Sequence, residues 1–387
     1  MILTERWFGP QDSVSLKHLA QIPSLGGIIT ALYELVPGEP WPEDRLARLR
    51  ELIEVQALRF CGVESIPVSE AIKLGLPERD RHIDSYCSSM EAVARVGVKL
   101  VCYNFMPVFD WTRTNLAEEL PDGSTALSFS QADLDTLESA GGPEGLPGWA
   151  ARYSAGELRA WMAAYKQMEP ENLWENLAFF LSRVIPVAEA NGVKMAIHPD
   201  DPPWPILGLP RIITDSAALR RVLALAPSPA NGLAFCTGSL GANPANDIPE
   251  MIREFASQGR IHYAHLRNIL IRGPKSFLES AHPSGSLNLA AAVRALVDNG
   301  FSGPVRADHG RMIWGEQGRP GYGLFDRALG TMYIAGLRDA LTSKAAPRRL
   351  GESGAPIQPG PVTASNISGS TFSGLRRNFG FPGPDPM

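Results

Sequence analysis

Eight short runs rich in Val, Ile and Leu, near residues 4–8, 26–32, 57–63, 98–104, 193–198, 231–236, 260–265 and 303–308, alternate along this chain with longer amphipathic stretches. Runs of that length bounded by turn residues are the pattern of buried parallel strands, and parallel neighbours need a crossover between them, usually a helix. Eight such units predict a closed (β/α)8 barrel, whose functional groups come from the loops at the C-terminal ends of the strands. The competing α/β architecture, a doubly wound open sheet, has no support as a dinucleotide binder, because no G-x-G-x-x-G follows the first strand.

The stretches between the runs carry helix signals of their own. Pro42 stands at an expected first turn ahead of the stripe Leu46, Leu49, Leu52 and Ile53. Leu173, Leu177, Phe180, Leu181 and Val184 repeat at helical spacing, and Gly192 follows as a stop. Asn246 is placed to cap a helix bearing Ile248, Met251, Ile252 and Phe255, and Gly300 ends one bearing Leu289, Val293, Leu296 and Val297.

Two regions break the repeat. Nearly ninety residues separate the fourth and fifth runs, too many for a plain crossover, so a helical insertion over 115–170 is expected to act as a lid on the barrel mouth. It includes the Gly- and Pro-rich segment Gly141–Trp149. From about residue 344 to 387 the chain is rich in Pro, Gly and Ser, which suits disorder or an extended arm on a partner subunit and leaves a homo-oligomer open. The expected organisation is therefore a barrel domain over 1–343 and a tail over 344–387.

With 44% hydrophobic and 20% charged residues, the chain is of the ordinary globular type. A net charge of -5 gives no basic footprint for nucleic acid. Its four scattered cysteines make no disulfide framework. An N-terminus without a signal pattern, and the absence of a long apolar run, lead to the expectation of a cytoplasmic, unanchored protein with no membrane partner.

The chemistry is concentrated at strand ends. His198 closes VKMAIHPDDPP, Cys236 closes GLAFCTGS, His265 closes IHYAHLRN, and Asp308 with His309 closes PVRADHG. Successive spacings of 38, 29 and 43 residues are each about one βα unit, so four neighbouring strands aim these groups at one point. Alone, a strand-end His is more often a hydrogen-bonded structural residue, and an apolar-flanked Cys a small core hydrophobe. In register, two imidazoles, a thiolate and a carboxylate form a shell for a divalent transition metal, with zinc the first choice by ligand chemistry and iron or manganese open to geometry. His262, three residues before His265, should face the opposite side of its strand. Arg306 shares the inward face of Asp308 and should be paired inside the barrel.

At these residues the chain resembles the mannonate dehydratase family, from about Trp7 to Ala340, through RWFGPQD, CYNFMPVFDWTRT, IHPDDPPWPILGLPRI, FCTGS, AHLRN, ADHG and PGYG. The resemblance implies a (β/α)8 barrel related to xylose-isomerase-like sugar enzymes. It also implies dehydration of D-mannonate to 2-keto-3-deoxy-D-gluconate in glucuronate catabolism, and Mn2+ or Fe2+ rather than zinc on His198, Cys236, His265 and Asp308. The family's catalytic pair falls by motif on His309 and on Tyr322 of PGYG. In SAHPSGSLN the chain carries Ser286 where the family pattern has an acidic residue.

Such a dehydration needs a base for the C2 proton, an acid for the departing C3 hydroxyl, and stabilisation of charge on the carboxylate side. An imidazole exchanges protons near neutrality and a phenol starts as a donor. The strand-following loops offer Asn104, Asp110, Arg113, Asp200 and Arg267 as contacts to a sugar acid, with Trp111 as a wall. A metal-dependent sugar isomerase or epimerase on the same barrel is the alternative reading.

Overall fold

The parallel runs close on themselves. In chain order the strands are β1 (Ile2–Arg6), β2 (Gly27–Thr30), β3 (Arg59–Glu64), β4 (Leu100–Tyr103), β5 (Asn115–Glu119), β6 (Thr125–Ser130), β7 (Lys194–Ile197), β8 (Asn231–Cys236), β9 (Ile261–His265), β10 (Asn268–Gly273), β11 (Ser276–Ser280) and β12 (Pro304–Arg306). Eight of them form a closed barrel in the order β1-β12-β9-β8-β7-β4-β3-β2, and its paired neighbours run parallel. The computed structural model describes residues 1–140 and 154–342. Gly141–Trp149 and the tail over 344–387, for which a lid segment and an arm were expected, lie outside the described residues.

Helices pack their apolar stripes onto the barrel. Glu43–Glu54 buries Leu46, Leu49 and Ile53, and Pro170–Ala190 buries Leu173, Leu177, Phe180, Leu181 and Val184; each such side chain contributes roughly 1.5–3 kcal/mol on leaving water. The expected cap at Asn246 is corrected by one residue. Asp247 caps the helix Ile248–Ser257, its carboxylate accepting from Glu250 N, whereas Asn246 Nδ2 donates to the carbonyls of Thr214 and Leu240. A carboxylate at that end also meets the positive end of the helix dipole.

Inside the barrel, Ile29, Leu100, Cys102, Ala196, Ala234 and Tyr263 form a separate buried cluster. The period of two along a strand then puts His198, Cys236 and His265 on the same inward face as Ala196, Ala234 and Tyr263.

The insertion after β4 contains helices, as expected, and also a hairpin that its sequence did not announce. β5 and β6 join β10 and β11, which follow β9, in a four-stranded antiparallel sheet of order β10-β11-β6-β5. Thr125 of β6 also bridges to Met312, tying the sheet to the loop after β12.

Candidate metal centre

The strand-end groups converge. One ligand atom each from His198, Cys236 and His265 lie within 4.8 Å of one another, and Asp308 Oδ2 lies 3.9 Å from Cys236 Sγ and 3.8 Å from His265 Nδ1. His198 Nδ1 is 2.7 Å from the carbonyl of Pro199, which can only accept, so Nδ1 carries a hydrogen and the neutral ring would offer its Nε2 lone pair to a metal. Nε2 lies 3.1 Å from His265 Nδ1. Two imidazole nitrogens, a sulfur and a carboxylate oxygen, each aimed at the others, suit a divalent transition metal.

The electrostatics keep the thiol and the carboxyl of this set ionised. Burial pushes the Cys236 thiol up, but Arg267 and a hydrogen bond with His198 outweigh it and hold the sulfur well below its ordinary range. Ser239 adds its N–H at 3.4 Å and its hydroxyl at 3.1 Å from the same sulfur. Burial of Asp308 is likewise overcome, first by Arg306 and then by neighbouring imidazoles and Arg267. Arg306 Nη2 lies 2.6 Å and Arg267 Nε 3.0 Å from its carboxylate. The backbone of Asp308 has φ 66°, a left-handed conformation costing roughly 1–2 kcal/mol for an L-residue, and such outliers concentrate at functional sites.

Beside this cluster His309 Nε2 lies 2.9 Å from the Tyr322 hydroxyl, and His309 Nδ1 lies 3.2 Å from Glu279 Oε1. The two loops are joined where Gly310 N donates to Gly321 O. Gly321 has φ 76°, and a Cβ there would lie 2.5 Å from Leu127 of β6, so the turn that presents Tyr322 depends on glycine. Burial raises the Tyr322 phenol above its ordinary range.

The sequence-derived contacts divide into two groups. Asn104 and Asp110 line the cavity with Trp111, His198, Asp308, His309 and Tyr322, and Asn104 Nδ2 donates to Asp110 Oδ1 at 3.0 Å. Arg113 and Arg267 do not line it and have no solvent exposure. Arg113 bonds Asp201 at 2.8 Å and Glu279 at 2.6 Å, and Arg267 bonds both the same carboxylates. Two cations facing two carboxylates make a balanced network, the arrangement in which buried charge is tolerable. Asp200 turns elsewhere. It accepts from Ile213 N at 2.8 Å and lies 3.9 Å from Arg211, while its neighbour Asp201 lines the cavity.

Three charged groups that line the cavity, Arg6, Glu64 and Asp201, were not singled out from the sequence, nor was Glu279, which reaches His309 without lining it. Glu64 Oε1 accepts from Arg6 at 3.1 Å and from Arg306 at 3.0 Å, the internal partner that Arg306 required. Arg6 and Glu64 are the last residues of β1 and β3, so the strand-end rule applied to every strand would have found them. His262 is buried on β9, with Nδ1 2.8 Å from the carbonyl of Met195.

Fold and ligand cluster together define the class: a (β/α)8 barrel with a candidate divalent-metal centre at its C-terminal mouth. The barrel is shared with D-psicose 3-epimerase from Clostridium cellulolyticum H10, at a TM-score of 0.53 and 11% identity over 88% of this chain and 99% of that one, a likeness of fold alone. Much nearer is the crystal structure of mannonate dehydratase from Streptococcus suis serotype 2, with a TM-score of 0.82 and 43% identity over 88% of this chain and 95% of that one. Mannonate dehydratase 2 of Halalkalibacterium halodurans is 52% identical over 345 residues, which are 89% of this chain and 100% of the relative. The profile of the family described as D-mannonate dehydratase (UxuA) matches residues 1–348. The chain belongs to the D-mannonate dehydratase family.

Proposed function

We propose that the protein dehydrates D-mannonate to 2-keto-3-deoxy-D-gluconate, with His198, Cys236, His265 and Asp308 holding Mn2+ or Fe2+ and with His309 and Tyr322 moving protons. The observation that carries the reading is the His309 to Tyr322 contact of 2.9 Å, set on the same cavity wall as Asp308 and His198. A bound divalent ion would supply Lewis-acid polarisation of the acid's carboxylate and an adjacent hydroxyl. His309 takes the C2 proton at Nε2, and the Tyr322 hydroxyl gives a proton to the C3 oxygen, which departs as water with the C–O electron pair. The enol left behind becomes the 2-keto acid on reprotonation at C3. A buried phenol raised above its ordinary range enters such a step protonated.

Asn104 and Asp110 are the sugar-hydroxyl partners on the wall. Arg113 and Arg267 act indirectly, fixing Asp201 on the cavity and Glu279 beside His309, and Asp200 supports the loop that carries Asp201. The four-stranded sheet reaches the centre through Glu279, which meets His309. Glucuronate catabolism in the cytoplasm is the setting that this chemistry fits.

Purified protein supplied with D-mannonate and Mn2+, or anaerobically with Fe2+, should accumulate 2-keto-3-deoxy-D-gluconate. Anaerobic metal analysis run alongside, with Cys236→Ala as the low-metal control, separates the two ions. Interconversion of sugars with no loss of water would replace this reading with an isomerase.

A further inference from the structure

We propose that Glu279 is a positioning residue which accepts the Nδ1 hydrogen of His309 and so keeps His309 Nε2 as the lone-pair face presented to the Tyr322 hydroxyl. The inference rests on the proposed function for its kinetic consequences and on geometry for its tautomeric one.

Glu279 does not belong to the barrel. It lies on β11, in the strand pair inserted after β9, and β11 is held between β10 and β6 of the added sheet. That sheet brings its carboxylate 3.2 Å from His309 Nδ1. An ionised carboxylate can only accept, so the ring must donate from Nδ1. Arg113 and Arg267 enforce the ionised state. Against a burial that pushes the other way, they bring the carboxyl down to about 2. With Nδ1 hydrogenated, a neutral ring offers Nε2 as acceptor, and the phenol 2.9 Å away donates to it.

The ring plane is fixed by other contacts. Trp111 meets the imidazole edge-on at 5.2 Å between centroids, and Tyr322 does so at 4.9 Å. Packing of this kind sets the orientation of the ring but leaves its tautomer undetermined, since either nitrogen can carry the hydrogen in one ring position. The charge on Glu279 makes that choice. When Nε2 takes up a proton, the same carboxylate faces the resulting cation, as the buried acid does in a Ser-His-Asp triad.

Glu279→Gln keeps the shape and removes the charge. Its kcat for D-mannonate should fall by about 10²-fold or more, with KM held within about threefold and metal content unchanged. In a His309→Asn background the same substitution should alter the residual kcat by less than about twofold, because it acts through a group already gone. Losses in kcat and KM together, repeated in full in the His309→Asn background, would assign Glu279 to the arginine framework alone and overturn the proposal. A second measurement needs no stable variant at Glu279. Long-range 1H–15N correlation spectra of the full-length wild type, with 15N-labelled histidines and Zn2+ as a diamagnetic ion, should show the Nδ1–H tautomer for the signal missing in His309→Asn. A hydrogen on Nε2 at rest would overturn the inference. Should the wild type fail to dehydrate D-mannonate, the proposed function falls, and the tautomer still decides on Glu279.

Discussion

Glu64 Oε2 lies 3.5 Å from Nε2 of His265, across the ring from the Nδ1 that faces His198. A carboxylate behind a metal-facing imidazole fixes the ring's tautomer and raises its basicity, and removal of such partners typically costs about 10–100-fold in metal affinity. Glu64→Gln should therefore bind Mn2+ about 10–100-fold more weakly while remaining folded. Calorimetric titration with Mn2+, with circular dichroism as the folding control, reads both quantities. Unchanged affinity would leave Glu64 as a counter-ion for Arg6 and Arg306 and nothing more.

Tyr322→Phe removes one hydroxyl from a buried aromatic ring that packs edge-on against Phe8 and His309. The ring keeps its packing, so stability should change little, whereas loss of a proton donor typically costs about 10²–10⁴-fold in rate. Steady-state kinetics with D-mannonate should show that loss in kcat at nearly constant KM. A variant losing KM instead would make Tyr322 a binding group.

The candidate metal cluster was legible because its members end apolar runs, and the alternation that fixes the barrel also fixes where those runs point. His198, Cys236 and His265 each follow by two an inward-facing residue of the interior cluster, a relationship readable from the sequence. Arg6 and Glu64 lack that cluster neighbour but end β1 and β3, and the strand-end rule could have found them. Glu279 could not. Its position depends on strand pairing between β11 and β6, segments separated by well over a hundred residues, and one Glu in FLES reads as a solvated strand face. Asp201 rather than Asp200 lines the cavity, and adjacent carboxylates in an irregular loop have no period to say which one faces it.

Gly238 sits where the Arg267 side chain must pass. A Cβ at Gly238 would fall 2.6 Å from both Cγ and Nε of Arg267, and Arg267 is the cation shared by Asp201, Glu279 and Asp308. Overpacking of a buried site typically costs about 1–3 kcal/mol, and here it would also move a charge. Gly238→Ala should lower stability in urea by that amount and reduce kcat, whereas Gly336→Ala, whose added methyl would meet open space, should do neither. Equal behaviour of the two variants would count against a tight fit around Arg267.

Acid sensitivity should have a source outside the active centre. His262 Nδ1 donates to the carbonyl of Met195, while Nε2 is buried without a hydrogen-bond partner among the described residues. Burial lowers the ring's pKa to about 4, against about 6.5 in an unfolded chain. Between those values the unfolded chain binds more protons than the native one, so stability rises with pH through this window. The penalty is absent well above pH 6.5, grows as the pH falls through that value, and saturates below about 4. At about pH 5 it amounts to about 2 kcal/mol. His262→Gln, whose amide can still donate to Met195 O and does not titrate, should lose less stability than the wild type between about pH 7.5 and 5. Urea unfolding of both proteins at the two pH values makes the comparison, and parallel losses would move the acid sensitivity to another group, first of all His82, whose imidazole pKa burial also lowers.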